Sequence, residues 1–129
     1  MKDYIPKTKF DFKAIENLKQ LPFEAIKEDV PELLTWVQDM NWPVAREVNI
    51  YLLPHISKIQ QELLDILATN DEMWIYWILG SFIAKSDERP SQEILAIADR
   101  LANNPTEYEQ SEYLDEVARM VINKFPPIH

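Results

Sequence analysis

The chain has 129 residues and a formal net charge of −9, so it is long enough to fold as one domain with its own hydrophobic core. It contains no cysteine, which excludes disulfide bonds and a cysteine nucleophile, and its single glycine excludes a glycine-rich phosphate-binding loop. No apolar run has the length of a membrane span, and the N-terminus lacks the pattern of a secretion signal, so we expect a cytoplasmic protein with no membrane partner.

Nine prolines and several capping residues divide the chain into about seven helices, which predicts an all-α fold. The first predicted helix covers 12–20, with Asp11 as its N-cap and Phe10 packed against Ile15. A short helix follows at 23–28, and these two helices are expected to form an N-terminal helical cap. The inner face of the first helix is predicted to consist of Phe12, Ile15 and Leu18.

Two helical hairpins are predicted next, each with the i, i+3, i+4 apolar spacing of amphipathic helices. Asn41 is expected to cap the second helix of the first hairpin, with Pro43 in the first turn of that helix. Asp71 is expected to cap the corresponding helix of the second hairpin. The predicted pairs are 30–38 with 43–53 and 56–67 with 73–85.

The two hairpins repeat nine apolar positions at a constant offset of thirty residues. Stacked helical hairpins bury each other's apolar faces, so this repeat predicts a short α–α superhelix. Gly80 would be costly inside a helix unless another backbone packed closely against it, and we therefore predict a close helix crossing there. The matched positions are 33/63, 34/64, 36/66, 37/67, 44/74, 45/75, 48/78, 52/82 and 53/83.

A looser third hairpin is predicted to pair 91–102 with 110–123. Between these helices, Thr106 and Glu109 have the spacing of a capping box. We expect residues 1–129 to form a single helical-repeat domain, in which 1–10 and 124–129 are flexible.

The turn sequences support a family resemblance. The segments DMNWPVA at 39–45, NDEMWIYWIL at 70–79 and NNPT at 103–106 resemble a bacterial domain-of-unknown-function family of small helical proteins, which implies a helical fold and no catalytic residues. More distantly, the thirty-residue hairpins resemble HEAT-like repeats. HEAT-like arrays commonly have an acidic residue in the turn and a basic residue on the second helix. Asp39 and Arg46 match this pattern, whereas the second hairpin has Thr69 and Tyr76 at those positions.

Residues that commonly carry enzyme or metal chemistry are isolated in this chain. The histidines, His55 and His129, have no metal-ligand partner at helical spacing, and none of the serines lies in a nucleophile motif. Asp39 and Asp71 are explained by their turn positions. We therefore expect a non-enzymatic protein with no catalytic, cofactor-binding or metal-binding residues, although a carboxylate pair assembled only by folding is left open.

The candidate partner-binding residues are Trp42, Arg46 and Tyr76. Trp42 lies in a turn beside a proline, Tyr76 follows Arg46 by one repeat, and these three residue types dominate binding at many protein interfaces. The alternative for Trp42 is that it packs back across its own hairpin. Trp74 and Trp77 are interpreted as core residues, because their helix is apolar on nearly every side.

The charge distribution indicates the kind of partner. Residues 28–129 contain seven basic and eighteen acidic side chains, a net charge of about −11, which repels nucleic acid and favours basic partners. The alternative explanation of this acidity is that it serves solubility alone. We therefore predict a protein-binding module with a basic protein partner and no nucleic-acid partner. An immunity-type protein that neutralises a toxin is the alternative, and a HEAT-like nucleic-acid enzyme is less favoured. A homodimer is a third possibility, because the sequence leaves the oligomeric state open.

Overall fold

The computed structural model describes residues 2–126 and has an all-α fold, which confirms the predicted fold class. The histidine at the C-terminus and the end of the tail predicted to be flexible lie outside the described residues. The α-helices are α1 (Phe12–Lys19), α2 (Phe23–Ile26), α3 (Val30–Leu34), α4 (Pro43–Leu52), α5 (Gln60–Leu67), α6 (Glu72–Trp77), α7 (Gln92–Asn103), α8 (Glu107–Ser111) and α9 (Leu114–Lys124). Short 3-10 segments cover Lys27–Asp29, Thr35–Val37, Leu53–Lys58 and Ile83–Lys85.

Helix α1 begins as predicted, but its buried face contains fewer large apolar side chains than predicted. The Asp11 carboxylate accepts a hydrogen bond from the Ala14 N–H over 3.2 Å, which confirms the N-cap. Ile15 is buried, but Phe10 is 61% exposed and Phe12 is 48% exposed. The predicted packing of Phe10 and the inward position of Phe12 are therefore wrong, because the inner face of α1 is completed by the small side chain of Ala14.

Helix α4 begins at Pro43 as predicted, but Asn41 is not its N-cap. The N-cap is Trp42, whose side chain makes no capping hydrogen bond. Because Pro43 has no N–H, the first free donor of the helix is the N–H of Val44, which donates to the Lys9 carbonyl over 3.2 Å. The N-terminal segment thus supplies the acceptor that Asn41 was predicted to provide.

The inner faces of the two hairpins agree closely. The Asp71 carboxylate caps α6 by accepting from the Trp74 N–H over 3.1 Å, as predicted. Five of the nine matched pairs are buried in both hairpins, so the same helix faces point into the core. These pairs are Leu33/Leu63, Val37/Leu67, Ala45/Ile75, Val48/Ile78 and Leu52/Phe82.

The predicted helix 73–85 is not one regular α-helix. After α6 the chain forms a π-helical segment, Ile78–Phe82, and then a 3-10 segment. A π-helix disturbs the regular hydrogen-bond ladder. The Ser81 carbonyl, which lies in this segment, accepts a hydrogen bond from the Asn49 side-chain amide over 3.0 Å. The apolar pattern of the sequence contains no sign of this irregularity.

Helix α9 packs closely against Gly80, as a close helix crossing requires, but the atoms that meet Gly80 belong to a side chain and not to the predicted backbone. A β-carbon built on Gly80 would lie 2.8 Å from Cγ1 of Val117 on α9. Further along, the Lys124 ammonium donates to the Ala84 carbonyl over 3.1 Å. Gly80 meets Val117 and Ala84 meets Lys124, so the contacts advance in the same direction along residues 72–85 and α9, and the two segments run parallel. Helix α7 packs extensively against α9.

The third hairpin is interrupted where the sequence predicts one helix over 110–123. Helix α8 ends at Ser111, Tyr113 takes a left-handed conformation, and α9 begins at Leu114. The capping box is confirmed, since Thr106 Oγ1 accepts from the Glu109 N–H and the Glu109 carboxylate accepts from the Thr106 N–H.

The chain ends make specific contacts with the helices. The Tyr4 hydroxyl donates to Asp29, and Asn17 donates to the Asp3 carbonyl over 2.9 Å. At the other end, Arg89 donates to the Pro126 carbonyl over 2.6 Å. Within the described part of the chain, none of the helices has both the length and the apolar character to cross a membrane.

Candidate functional site

The three residues predicted to bind a partner are each near the surface. Trp42 is half-buried and packs edge-on against Trp36, with 5.7 Å between ring centroids, so it folds back across its own hairpin. Arg46 is exposed, and Tyr76 is half-buried beside Trp77, with ring centroids 5.0 Å apart. Across residues 2–126, no hydrogen bond, ion pair or aromatic contact joins Tyr76 to Trp42 or Arg46. Their role in binding stays a prediction.

His55 is a packing residue. Its ring stacks on Phe23 with 4.7 Å between centroids and lies 6.0 Å from the ring of Tyr51. The Lys58 ammonium covers the Phe23 ring at 5.4 Å. No group of three acidic or histidine side chains in residues 2–126 is arranged to hold a metal ion.

Two acidic side chains, Glu72 on α6 and Glu112 at the C-cap of α8, act on the Tyr108 hydroxyl, and Tyr113 follows Glu112 in the chain. We call Glu72, Tyr108, Glu112 and Tyr113 the acidic corner. Contact with the Glu72 carboxylate raises the pKa of the Tyr108 hydroxyl above its ordinary value, and partial burial and the nearby charge of Glu112 act in the same direction. The Tyr108 side chain is itself largely exposed.

Tyr113 has an unusual backbone conformation. Its φ of 61° and ψ of 21° place it in the left-handed region, where a side chain with a β-carbon is disfavoured. It occupies the position after the C-cap of α8, where glycine is usual, and its N–H donates to the Gln110 carbonyl over 3.0 Å. The side chain is 61% exposed, so burial in the core does not explain this conformation.

An ion pair between α7 and α8 holds α8 in place. Arg100 on α7 makes two hydrogen bonds to the Glu109 carboxylate, of 3.0 and 2.7 Å. This pairing lowers the pKa of Glu109 to about 2, and the hydrogen bonds from Thr106 also lower it, while burial opposes the shift. Helix α8, which carries Tyr108 of the acidic corner, is therefore held at its first turn by the capping box and by α7.

A small pocket lies on the side of α6 that faces the first hairpin. Its volume is about 170 Å³, and it opens between α3 and α5, the first helices of the two hairpins. The Trp74 indole N–H donates to the Leu34 carbonyl over 3.2 Å and so fixes the ring as one wall. We call this the Trp74 pocket. Its lining is mainly apolar, and the residues that line it are Pro31, Leu34, Glu62, Asp65, Ile66, Thr69 and Trp74.

Sequence reasoning missed both features for different reasons. The sequence contains a signal for the acidic corner. Two tyrosines lie in a strongly acidic stretch, 107–116, and large aromatic side chains among several acidic residues indicate an exposed surface. The Trp74 pocket had no local signal. Leu34 and Trp74 are 40 positions apart in the chain, and the interpretation of Trp74 as a core residue does not bring it beside Leu34, Glu62 and Asp65.

The acidic corner offers negative charge and exposed aromatic surface, and the Trp74 pocket offers an aromatic wall beside carboxylates. Residues 4–122 match the family model described as Domain of unknown function (DUF5071). The chain belongs to this family. A search among curated proteins finds no match.

Proposed function

We propose that the protein is a non-enzymatic protein-binding module for a basic protein partner, and that the acidic corner is the surface that contacts it. The observation that carries this proposal is the exposed Tyr113 in a left-handed conformation. Such a residue destabilises the fold by about 1 kcal/mol, and strain of this kind tends to be kept where a side chain has a function.

The composition of the acidic corner supports a protein partner. Exposed tyrosines provide large contact areas with few rotatable bonds, and they are enriched among the residues that dominate interfaces. Glu72 and Glu112 surround Tyr108 with negative charge, and the whole chain carries a formal net charge of −9. A basic partner would therefore be steered toward this protein, whereas nucleic acid would be repelled.

The proposal is tested by capturing the partner from the native cells and measuring its affinity for purified variants. The variant Tyr113→Ala/Glu112→Gln removes the aromatic contact and one charge of the acidic corner. Its matched control, Phe10→Ala/Glu28→Gln, removes an equally exposed ring and one exposed carboxylate from elsewhere on the surface. Calorimetry should give about tenfold or greater weakening for the first variant and little change for the control.

Two further results bear on the proposal. Affinity for the captured partner should fall as salt rises, because charges at the rim of the interface are screened. An acidic partner, or equal binding by both variants, would contradict the assignment of the acidic corner. If the partner is a toxin and its activity is lost on binding, the protein has the immunity-type function; Trp42, Arg46 and Tyr76 would then be tested for contributions to the same complex.

A further inference from the structure

We propose that the Trp74 pocket binds one lysine or arginine side chain of the protein partner. This inference rests on the proposed binding function and adds a second, specific contact to it. Trp74 of α6 lines the pocket, and Glu72 of the acidic corner lies on the same helix. Because Glu72 and Trp74 are only two positions apart on α6, both features lie within reach of a single partner.

The walls of the pocket suit the aliphatic part of a long side chain. Leu34 and Ile66 are buried and present apolar atoms to the pocket, and Pro31 lines the opening on the α3 side. A volume of about 170 Å³ accommodates one side chain and not a helix or a folded loop. The four methylene groups of lysine, or the three of arginine, would be removed from water there.

The charges of the pocket are uncompensated. Glu62 and Asp65 lie one turn apart on α5, and the residues lining the pocket include neither lysine nor arginine. Within residues 2–126, no basic side chain forms an ion pair with either carboxylate; the one hydrogen bond to Asp65 comes from the Gln61 amide, over 2.9 Å. A cation that enters the pocket would thus meet two acidic residues that no basic side chain among the described residues neutralises.

The Trp74 ring adds a preference for a cation over a neutral group. Tryptophan is the aromatic residue that interacts most favourably with a cation placed over its face. Because the indole N–H is bonded to the Leu34 carbonyl, the ring is held in place before binding, so little side-chain entropy is lost when a ligand enters. A purely apolar side chain would fill the pocket but leave both carboxylates without a new partner.

The test is an NMR titration of the full chain with single amino-acid derivatives. N-acetyl-lysine methylamide and N-acetyl-arginine methylamide should shift the Trp74 indole N–H resonance, which is assigned by its disappearance in Trp74→Phe. N-acetyl-norleucine methylamide has the shape of lysine without its charge. We expect it to bind about tenfold more weakly than the lysine derivative.

Matched variants locate the site of binding. Glu62→Gln/Asp65→Asn keeps the shape of the pocket while removing its charge, and should weaken binding of the lysine derivative severalfold, leaving only the part of the preference over norleucine that the Trp74 ring supplies. Glu93→Gln/Asp99→Asn removes two exposed carboxylates from α7 and should leave affinity unchanged. Thermal unfolding of each variant establishes that the fold is retained.

Three results would overturn the proposal. These are equal binding of norleucine and lysine derivatives, undiminished binding by Glu62→Gln/Asp65→Asn, and a tenfold preference for spermidine, which would indicate a polyamine site. Failure of the pocket is separable from failure of the proposed function, because a basic partner that depends on the acidic corner could still be captured. Conversely, binding of the lysine derivative in the absence of any basic partner would overturn the proposed function and, with it, the partner as the source of the side chain, while the specificity of the pocket for a basic side chain would stand.

Discussion

Gly80 and Val117 touch across the parallel pair formed by residues 72–85 and α9, with no room between them for a methyl group. A β-carbon on Gly80 would lie 2.8 Å from Val117 Cγ1 and 3.4 Å from Val117 Cβ. Val117 is itself buried and has a branched, stiff side chain, so it has little freedom to move away.

We therefore predict that Gly80→Ala destabilises the protein. Overpacking costs about 1–3 kcal/mol, and the better helix propensity of alanine returns up to about 1 kcal/mol, so the free energy of unfolding should fall by about 1 kcal/mol. Urea denaturation measures this change. In the background of Val117→Ala, which removes the clashing methyl groups, the same substitution should be neutral or stabilising; a loss of equal size in both backgrounds would contradict the close contact.

The Arg100–Glu109 ion pair predicts a dependence of stability on pH. Glu109→Gln keeps the capping box but removes the ion pair, which costs about 1 kcal/mol at pH 7 for a partly exposed pair. Because folding lowers the pKa of Glu109 from 4.5 to about 2, its stabilisation is complete above pH 4.5 and is lost as the pH falls through about 2.

Urea denaturation of both proteins between pH 7 and pH 2 tests this prediction. The wild-type protein should be more stable at pH 7, and the two stabilities should converge near pH 2. A difference of constant size across the whole range would mean that the Glu109→Gln substitution disturbs the helix by a route other than charge.

The left-handed conformation of Tyr113 predicts a stabilising substitution. Tyr113→Gly relieves about 1 kcal/mol of backbone strain, and the greater freedom of glycine in the unfolded chain offsets part of this gain. We expect the free energy of unfolding to rise by about 0.5 kcal/mol, measured by urea or thermal denaturation. Tyr113→Ala retains the strained β-carbon and should show no such rise. Comparable stabilisation by both would indicate that loss of the exposed ring is the cause.

Asn49 links α4 to the π-helical segment, and its removal should be costly. Its side-chain amide is the donor to the Ser81 carbonyl, and Asn49 itself is buried. Asn49→Ala leaves that carbonyl without this donor, so the free energy of unfolding should fall by about 1–2 kcal/mol. The exposed Asn123→Ala on α9 is the control and should change stability by less than about 0.5 kcal/mol. Equal losses of stability in the two variants would contradict a stabilising role for the hydrogen bond between Asn49 and Ser81.

Local chemistry made part of this fold predictable. Asp11, Asp71 and the Thr106–Glu109 capping box lie beside the N–H groups that they bind, so sequence spacing was enough to find them. The same reasoning failed for Asn41. The acceptor for α4 is the Lys9 carbonyl, and nothing near Asn41 in the chain indicates that a distant backbone segment approaches.

The candidate sites depend on contacts between distant segments, which sequence spacing does not describe. Tyr108 acquires its acidic surroundings from Glu72 of α6, and Trp74 becomes a pocket wall by bonding to Leu34 of α3. The π-helical segment also depends on distant contacts. Its apolar residues would fit a regular α-helix equally well, and tertiary packing determines which kind of helix forms.

The position of α9 at the end of the chain has a consequence for synthesis on the ribosome. The π-helical segment contains Leu79 and Phe82, both fully buried in the finished protein, and its close partner Val117 is translated later. Until α9 leaves the ribosome, the nascent chain displays apolar surface that its own sequence cannot yet cover. We expect chains stalled before α9 to be retained by chaperones, and chains that include α9 to be released from them.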